Sequence, residues 1–314
     1  MSESKTFHYT LIDDFIRARK ERKAKSTIGN YKSALRYLDE YCHDRDIDIE
    51  NIKNRQMDSF VGYLKENVSE ITASNYMGCI SEFYKWVLLD SDRENPVAVV
   101  DPDLDSLATE HEKPSLDEDQ IKDLVSSAPD LRGEALLSLM ATTGMRVKEA
   151  CTAKISKLNL EERELEIMTV KTDFGERTVY FDRKTRRLLD RYINQGYRDK
   201  YHSDDSDYIF ISANTNQFDS EPHLSTDSAR RVFIKALENS DIDMEYEEYS
   251  DGRQRSIHTT HILRRSFCQN WINKNGDIMS LRNLVGWKNL ETAKNYIDDD
   301  ADVDKRDRYG ISVK

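Results

Sequence analysis

Three short segments of this chain carry residues whose types and spacing could act on a phosphate. Thr143-Gly144-Met145-Arg146 places an arginine just past a glycine turn, and His261-Ile262-Leu263-Arg264 sets a histidine and an arginine at i and i+3. On a helix that spacing shares one face, so both side chains can reach one group. In the third segment, Gly286-Trp287 is followed nine residues after the tryptophan by Tyr296. Two guanidiniums can clamp the non-bridging oxygens of a phosphate bidentately, which a lysine point charge does less well. They count most when those oxygens gain charge in a pentavalent transition state. A histidine beside them could accept a proton or donate to a phosphate oxygen, and the residue types leave both open. A tyrosine hydroxyl can store the energy of a phosphodiester bond in a phosphotyrosine bond of about equal energy, so no cofactor is required. Taken singly, each residue has an ordinary reading: a helix-end salt bridge for either arginine, a packed aromatic for Tyr296. His258 is nearby but lacks the i, i+3 spacing to an arginine.

Read in order, these motifs resemble the tyrosine recombinase (phage integrase) family. That family has a TGxR arginine, a hairpin lysine, an HxLR box, a GH or GW position and a tyrosine some nine residues later. One motif alone is weak; the ordered set is strong. The resemblance covers about Ser115 to Asp300, and the amino-terminal helices look like the family's core-binding domain. It implies that Arg146 and Arg264 hold the attacked phosphate with His261, and that Tyr296 is the nucleophile. It also implies that Lys171, where a strand runs into a hairpin, protonates the leaving 5′ oxygen. Trp287 stands where the family more often has histidine. Its indole N–H is a donor only, so it can bind a phosphate oxygen and pack the tyrosine helix but cannot shuttle protons. Arg265 replaces a histidine common after the box arginine and is expected to add phosphate affinity. The activity implied is that of a site-specific DNA recombinase or integrase with a covalent 3′-phosphotyrosine intermediate. Double-stranded DNA would be the partner, with four protomers assembled on two DNA sites, and no cofactor or metal. A type IB topoisomerase would use the same chemistry to relax supercoils. A DNA-binding factor without catalysis is the remaining reading, and the complete set of six residues argues against it.

Such a site needs elements to hold it. Before about residue 110 helical periodicity dominates, with Leu11, Phe15 and Ala18, then Ile28, Tyr31, Leu35, Leu38 and Cys42 at three- and four-residue steps. Further helices are predicted at Arg55–Asn67 and Thr72–Leu89, which makes a small bundle. Asn95-Pro96 to Lys113-Pro114 holds acid, serine and three of the five prolines, and reads as a linker. Ser115 then opens a helix with Glu118 at capping-box spacing. Arg132–Thr143 is predicted helical, ended by Gly144 as a left-handed cap. Leu165–Val170 and Arg177–Phe181 read as two strands of a hairpin, and Tyr208–Ile211 as a strand or a turn. Helices are predicted at Lys184–Asn194, Ser225–Asn239, His261–Asn275, Asp277–Val285 and Leu290–Ile297. The expected fold is mainly α with a small β-sheet. An amino-terminal helical bundle would span residues 1–110, the DNA-binding domain, and a mixed α+β catalytic domain residues 111–314.

Composition bounds the rest. The chain has 314 residues, enough for two domains, and sparse Gly (11) and Pro (5) disfavour a many-turned β sandwich. No apolar run reaches the roughly 18 residues of a membrane span. Cys42, Cys79, Cys151 and Cys268 lie far apart with no CxxC, so a reduced, cytoplasmic protein is expected. Neither a P-loop nor an acidic metal loop is found. The net charge of −12 disfavours a polyanionic partner at first sight. However, residues 17–36 hold eight cations against one anion, an excess of +7, and residues 251–274 hold five against one, an excess of +4. Acid collects elsewhere, as in Asp39–Glu50 and Asp298–Asp307. Such segregation can leave a basic face on an acidic body, and Arg17, Arg19, Arg22 and Lys23 are the candidates for DNA phosphate contacts there. A solvated helix face is the plainer alternative.

Overall fold

The computed structural model describes residues 7–100, 115–168, 175–201, 206–212, 223–243, 246–248, 254–256 and 258–287. The chain packs as two compact units, Met1–Glu112 with Glu248–Gln254, and Lys113–Glu247 with Arg255–Lys314. No described helix is long and apolar enough to cross a membrane.

In the first unit four helices follow the apolar steps of the sequence: α1 (Thr10–Lys20), α2 (Lys25–Asp44), α3 (Asn54–Asn67) and α4 (Glu70–Val87). Each buries one stripe, for example Met77, Ile80, Phe83 and Tyr84 of α4. In α1 the stripe is Ile12, Phe15 and Ile16 rather than the predicted Leu11, Phe15 and Ala18, since the helix turns Ala18 to solvent and leaves Leu11 half-buried. Phe15 sits among the rings, edge-on to Tyr31 and Phe83 at centroid distances of 5.2 and 5.4 Å, the arrangement that ring quadrupoles favour. The buried Asp39 carboxylate accepts from the backbone N–H groups of His8 and Tyr9, each at 3.0 Å. The stretch read as a linker from Asn95 opens with folded residues. Asn95 caps a single turn, α5 (Pro96–Val99), by accepting from the Val97 N–H at 3.0 Å, and Pro96 takes the first helical position, where no N–H is needed. Pro96 and Val100 are buried, and Val100 joins the same core.

The second unit is built on α7 (Leu131–Thr143), buried nearly all round and therefore a core helix rather than a surface one. Around it pack α6 (Glu118–Ser126), α8 (Val147–Cys151), α9 (Arg183–Asn194), α10 (Thr226–Asn239) and α11 (His261–Asn273), followed by α12 (Ile278–Val285). The cap of α6 falls two residues after the predicted Ser115. Leu116 is buried in the core and its N–H donates to Ser266 Oγ at 2.7 Å, so the chain stays extended until Asp117. Asp117 then accepts from the Gln120 N–H at 2.8 Å, while Gln120 Oε1 accepts from the Asp117 N–H at 3.0 Å.

One antiparallel sheet has the order β1 (Leu158–Asn159), β2 (Glu164–Met168), β3 (Glu176–Tyr180), with Leu165 opposite Val179 and Ile167 opposite Arg177. A two-stranded sheet pairs β4 (Tyr246–Glu248) with β5 (Gln254–Ser256). Neither β1 nor this pair is predicted from the sequence. Tyr208–Ile211 forms single bridges, to Lys154 and to His223, rather than a strand. The helix predicted at Leu290–Ile297 and the tip of the β2–β3 hairpin lie outside the described residues.

Candidate active site

The site grows from the end of α7. Gly144 closes that helix in the left-handed region, φ 63°, and its N–H donates to the Met140 carbonyl at 3.0 Å. A Cβ there would lie 2.5 Å from Cδ1 of Phe267 on α11, so both the turn and the closeness of α11 require glycine. The carbonyl of Gly144 is held by Arg264, whose Nη1 donates to it at 2.8 Å while Nη2 donates to the Val285 carbonyl at 2.7 Å. Arg264 heads the fully buried side chains by size, at 2% exposure. Burial first, and then the charge of Arg146, lower its pKa to about 10, so it stays a cation at neutral pH. Among the described residues two of its five N–H groups meet carbonyls.

Two residues past Gly144, Arg146 is the N-cap of α8 and its side chain is 30% exposed. Glu149, three residues on and buried, holds it twice: Oε2 accepts from the Arg146 backbone N–H at 2.8 Å and Oε1 from Arg146 Nη1 at 3.1 Å. The same carboxylate meets Arg177 of β3 fork to fork, Oε1 with Nη1 at 3.1 Å and Oε2 with Nη2 at 2.8 Å. Burial pushes the Glu149 carboxyl up, but the hydrogen bonds and charges of Arg177, then Arg146, outweigh it and hold the pKa below the usual carboxylate value. Arg177 Nε also donates to the Leu284 carbonyl at 2.8 Å. Two guanidiniums therefore satisfy carbonyls in the last turn of α12, which have no partner within the helix and lie at its negative end. Gly286 then turns the chain at φ 66°. Trp287 is buried at 3% exposure, in a cluster with Cys268, Leu281 and Val285.

Of the residues singled out from sequence, Arg146 and Arg264 are joined through Gly144, and Trp287 stands two residues beyond the carbonyl that Arg264 holds. His261 is exposed at the start of α11, one turn before Arg264, whereas His258 is buried. Arg265 is half-buried on α11. Lys171 and Tyr296 lie outside the described residues; β2 and β3 are the strands that flank Lys171. In the first unit Arg17, Arg22 and Lys23 are exposed and Arg19 half-buried, in the last turns of α1 and just beyond it. Arg17 Nη1 reaches Asp14 at 3.2 Å, and the Arg19 guanidinium lies 5.4 Å from the Phe15 ring centroid. Glu149 and Arg177 were not among the sequence candidates. Both had a signal: Glu149 follows Arg146 at capping-box spacing, and Arg177 takes a buried position in a strand that alternates. Together Arg146, Arg177 and Arg264 set three positive charges against the one of Glu149. Arg146 and Arg177 both bond that carboxylate, and Arg264 is near enough to Arg146 to feel its charge.

Residues 114–302 match the phage integrase family, and residues 9–86 match the phage integrase SAM-like domain. The tyrosine recombinase XerA of Pyrococcus horikoshii is 28% identical over 183 residues, 58% of this chain and 55% of that protein. The tyrosine recombinase XerD of Listeria innocua is 24% identical over 305 residues, covering 91% of this chain and 93% of its own length. The fold is shared with the Tn1549 transposon integrase, solved in complex with transposon right end DNA, at a TM-score of 0.72 and 17% identity over 96% of this chain and 99% of that one. A family match over more than half of the chain, carried on this fold, establishes that the chain belongs to the phage integrase family, the tyrosine-type site-specific DNA recombinases.

Proposed function

We propose that this chain cuts and rejoins DNA at specific sites through a covalent 3′-phosphotyrosine intermediate. The observation that carries the reading is the convergence of two guanidiniums at the end of α7, where Arg146 is held by Glu149 and buried Arg264 by the Gly144 carbonyl. A scissile phosphate is the anion that fits there. The Tyr296 oxygen attacks phosphorus and forms the new O–P bond, while the bond to the 5′ oxygen breaks and that oxygen takes a proton from Lys171. Arg146 and Arg264 neutralise the charge that builds on the non-bridging oxygens. His261, exposed one turn from Arg264, receives the tyrosine proton or donates to a phosphate oxygen. Rejoining runs the steps backwards, with a 5′ hydroxyl of a second strand attacking the phosphotyrosine. Residues 1–110 serve as the core-binding domain on duplex DNA and residues 111–314 as the catalytic domain. The SAM-like match at residues 9–86 supports the first assignment. Four protomers on two DNA sites are the working assembly.

The test is a duplex carrying the target site with a nick that lets the cleaved end diffuse away. Wild type should accumulate a covalent protein–DNA adduct, and Tyr296→Phe should bind the duplex and form none. A plasmid with two such sites should give recombinants. Relaxation without any exchange would instead mark a topoisomerase.

A further inference from the structure

We infer that Arg177 is a positioning residue for strand cleavage, fixing Arg146 through Glu149 while anchoring the end of α12 that leads to Trp287. The inference deepens the recombinase reading and rests on it. Arg146 alone is a long, partly exposed side chain with many rotamers. Glu149, within the five-residue α8, fixes it by taking both its backbone N–H and its Nη1, but those two bonds alone do not set the plane of the carboxylate. The fork of Arg177 removes that freedom, because two parallel hydrogen bonds define the carboxylate plane as well as its place. Its third bond, from Nε to the Leu284 carbonyl, ties β3 to the last turn of α12.

The backbone of the neighbouring glycine leaves no slack on that side. A Cβ on Gly286 would fall 3.1 Å from Arg177 Nη1, 3.3 Å from Cζ and 3.4 Å from Nε. The guanidinium thus lies flat against the residue that precedes Trp287. One planar group meets α8, α12 and its own strand, one edge of the hairpin that carries Lys171. A lysine would keep the charge, but it has no fork and no plane. Catalysis depends on holding the clamp in place before the phosphate arrives, so misplacement of Arg146 should appear in the chemical step and not in DNA binding.

The experiment compares wild type, Arg177→Lys, Arg177→Met and Arg146→Lys/Arg177→Lys on the nicked duplex, below the melting transition of each. Affinity for uncleaved DNA should be unchanged. The rate of adduct formation should fall by about 10–100-fold in Arg177→Lys, the range that loss of the outer partner of a metal ligand gives, applied here to a phosphate clamp. The double variant should lose far less relative to Arg146→Lys than Arg177→Lys loses relative to wild type, because the larger part of the effect passes through Arg146 and only the α12 anchor acts apart from it. Should Arg177→Met not fold, the two lysine variants carry the comparison. Nitrogen NMR of the Arg146 guanidinium reads the positioning without catalysis: slow rotation about its C–N bonds in wild type should become fast in Arg177→Lys. Should wild type form no adduct at all, the recombinase reading falls while the NMR result still decides this one. An Arg146 signal unchanged in Arg177→Lys, a wild-type cleavage rate in that variant, or additive losses in the double variant would each overturn the inference.

Discussion

Arg146 and Arg264 are proposed to do the same job at the phosphate, yet the protein holds them in different ways, and substitution should separate the two. Either arginine replaced by lysine keeps its charge and loses its fork. Cleavage should fall about 10²-fold or more in both, matching the roughly 2.7–4 kcal/mol lost with one transition-state donor. Stability should part them. Arg264 is 2% exposed and bonded to two carbonyls, so Arg264→Lys should also lower the melting temperature. Arg146→Lys, at a side chain 30% exposed, should leave it nearly unchanged. Single-turnover cleavage and thermal melting measure both, and near-normal rates in the two variants would make these arginines structural. At this scale the local spacings were legible: Arg146 after its glycine, and His261 one turn before Arg264. Glu149 with Arg177 was not, because the pair spans 28 positions, from a five-residue helix to a strand, and no periodicity links them. What the sequence offered was Glu149 at capping-box spacing from Arg146 and a cation on the buried side of β3, with nothing to pair them.

Among the elements, the turn at Gly144 matters most, because it ends α7, starts the approach to Arg146 and lends its carbonyl to Arg264. Gly144→Ala would place a methyl group in the left-handed region, at a cost of about 1–2 kcal/mol. It would also push that methyl into the Phe267 ring of α11. The variant should melt several degrees lower and cleave more slowly, since α11 carries both His261 and Arg264. A variant with wild-type melting and cleavage would show that α11 yields without disturbing the site. Helices with a clear apolar stripe, from α1 to α4 and from α9 to α12, could be read from the sequence because their burial follows the 3.6-residue period. Short elements could not. The strand β1 is two residues long, and α5 is one turn inside an acidic, proline-bearing stretch. Too few residues are present in either for a period to show. The cap of α6 moved for a different reason, since burial of Leu116 and its bond to Ser266, 150 positions away, decide where the helix starts.

For the molecule as a whole the question is how a chain of net charge −12 would hold a polyanion. Its cations are segregated, and Arg17, Arg22 and Lys23 stand exposed at the end of α1 and just beyond it, with Arg19 beside them. If they neutralise phosphates, log K should fall with log salt by about 0.9 per contact. Alanine at all four should then flatten the slope by about two to four contacts' worth, and weaken specific and non-specific DNA alike. Cleavage of DNA already bound should persist, because none of the four belongs to the proposed catalytic set. An unchanged slope and affinity across a salt titration would make the cluster a solvated face. The central claim, a phosphotyrosine made by Tyr296, is tested most directly by digesting the trapped protein–DNA adduct and sequencing the peptide that carries the nucleotide. The account predicts one modified residue, Tyr296, joined to a 3′ phosphate, with a free 5′ hydroxyl on the released strand. A 5′ linkage, or attachment at Tyr309, Tyr180 or any other residue, would contradict it.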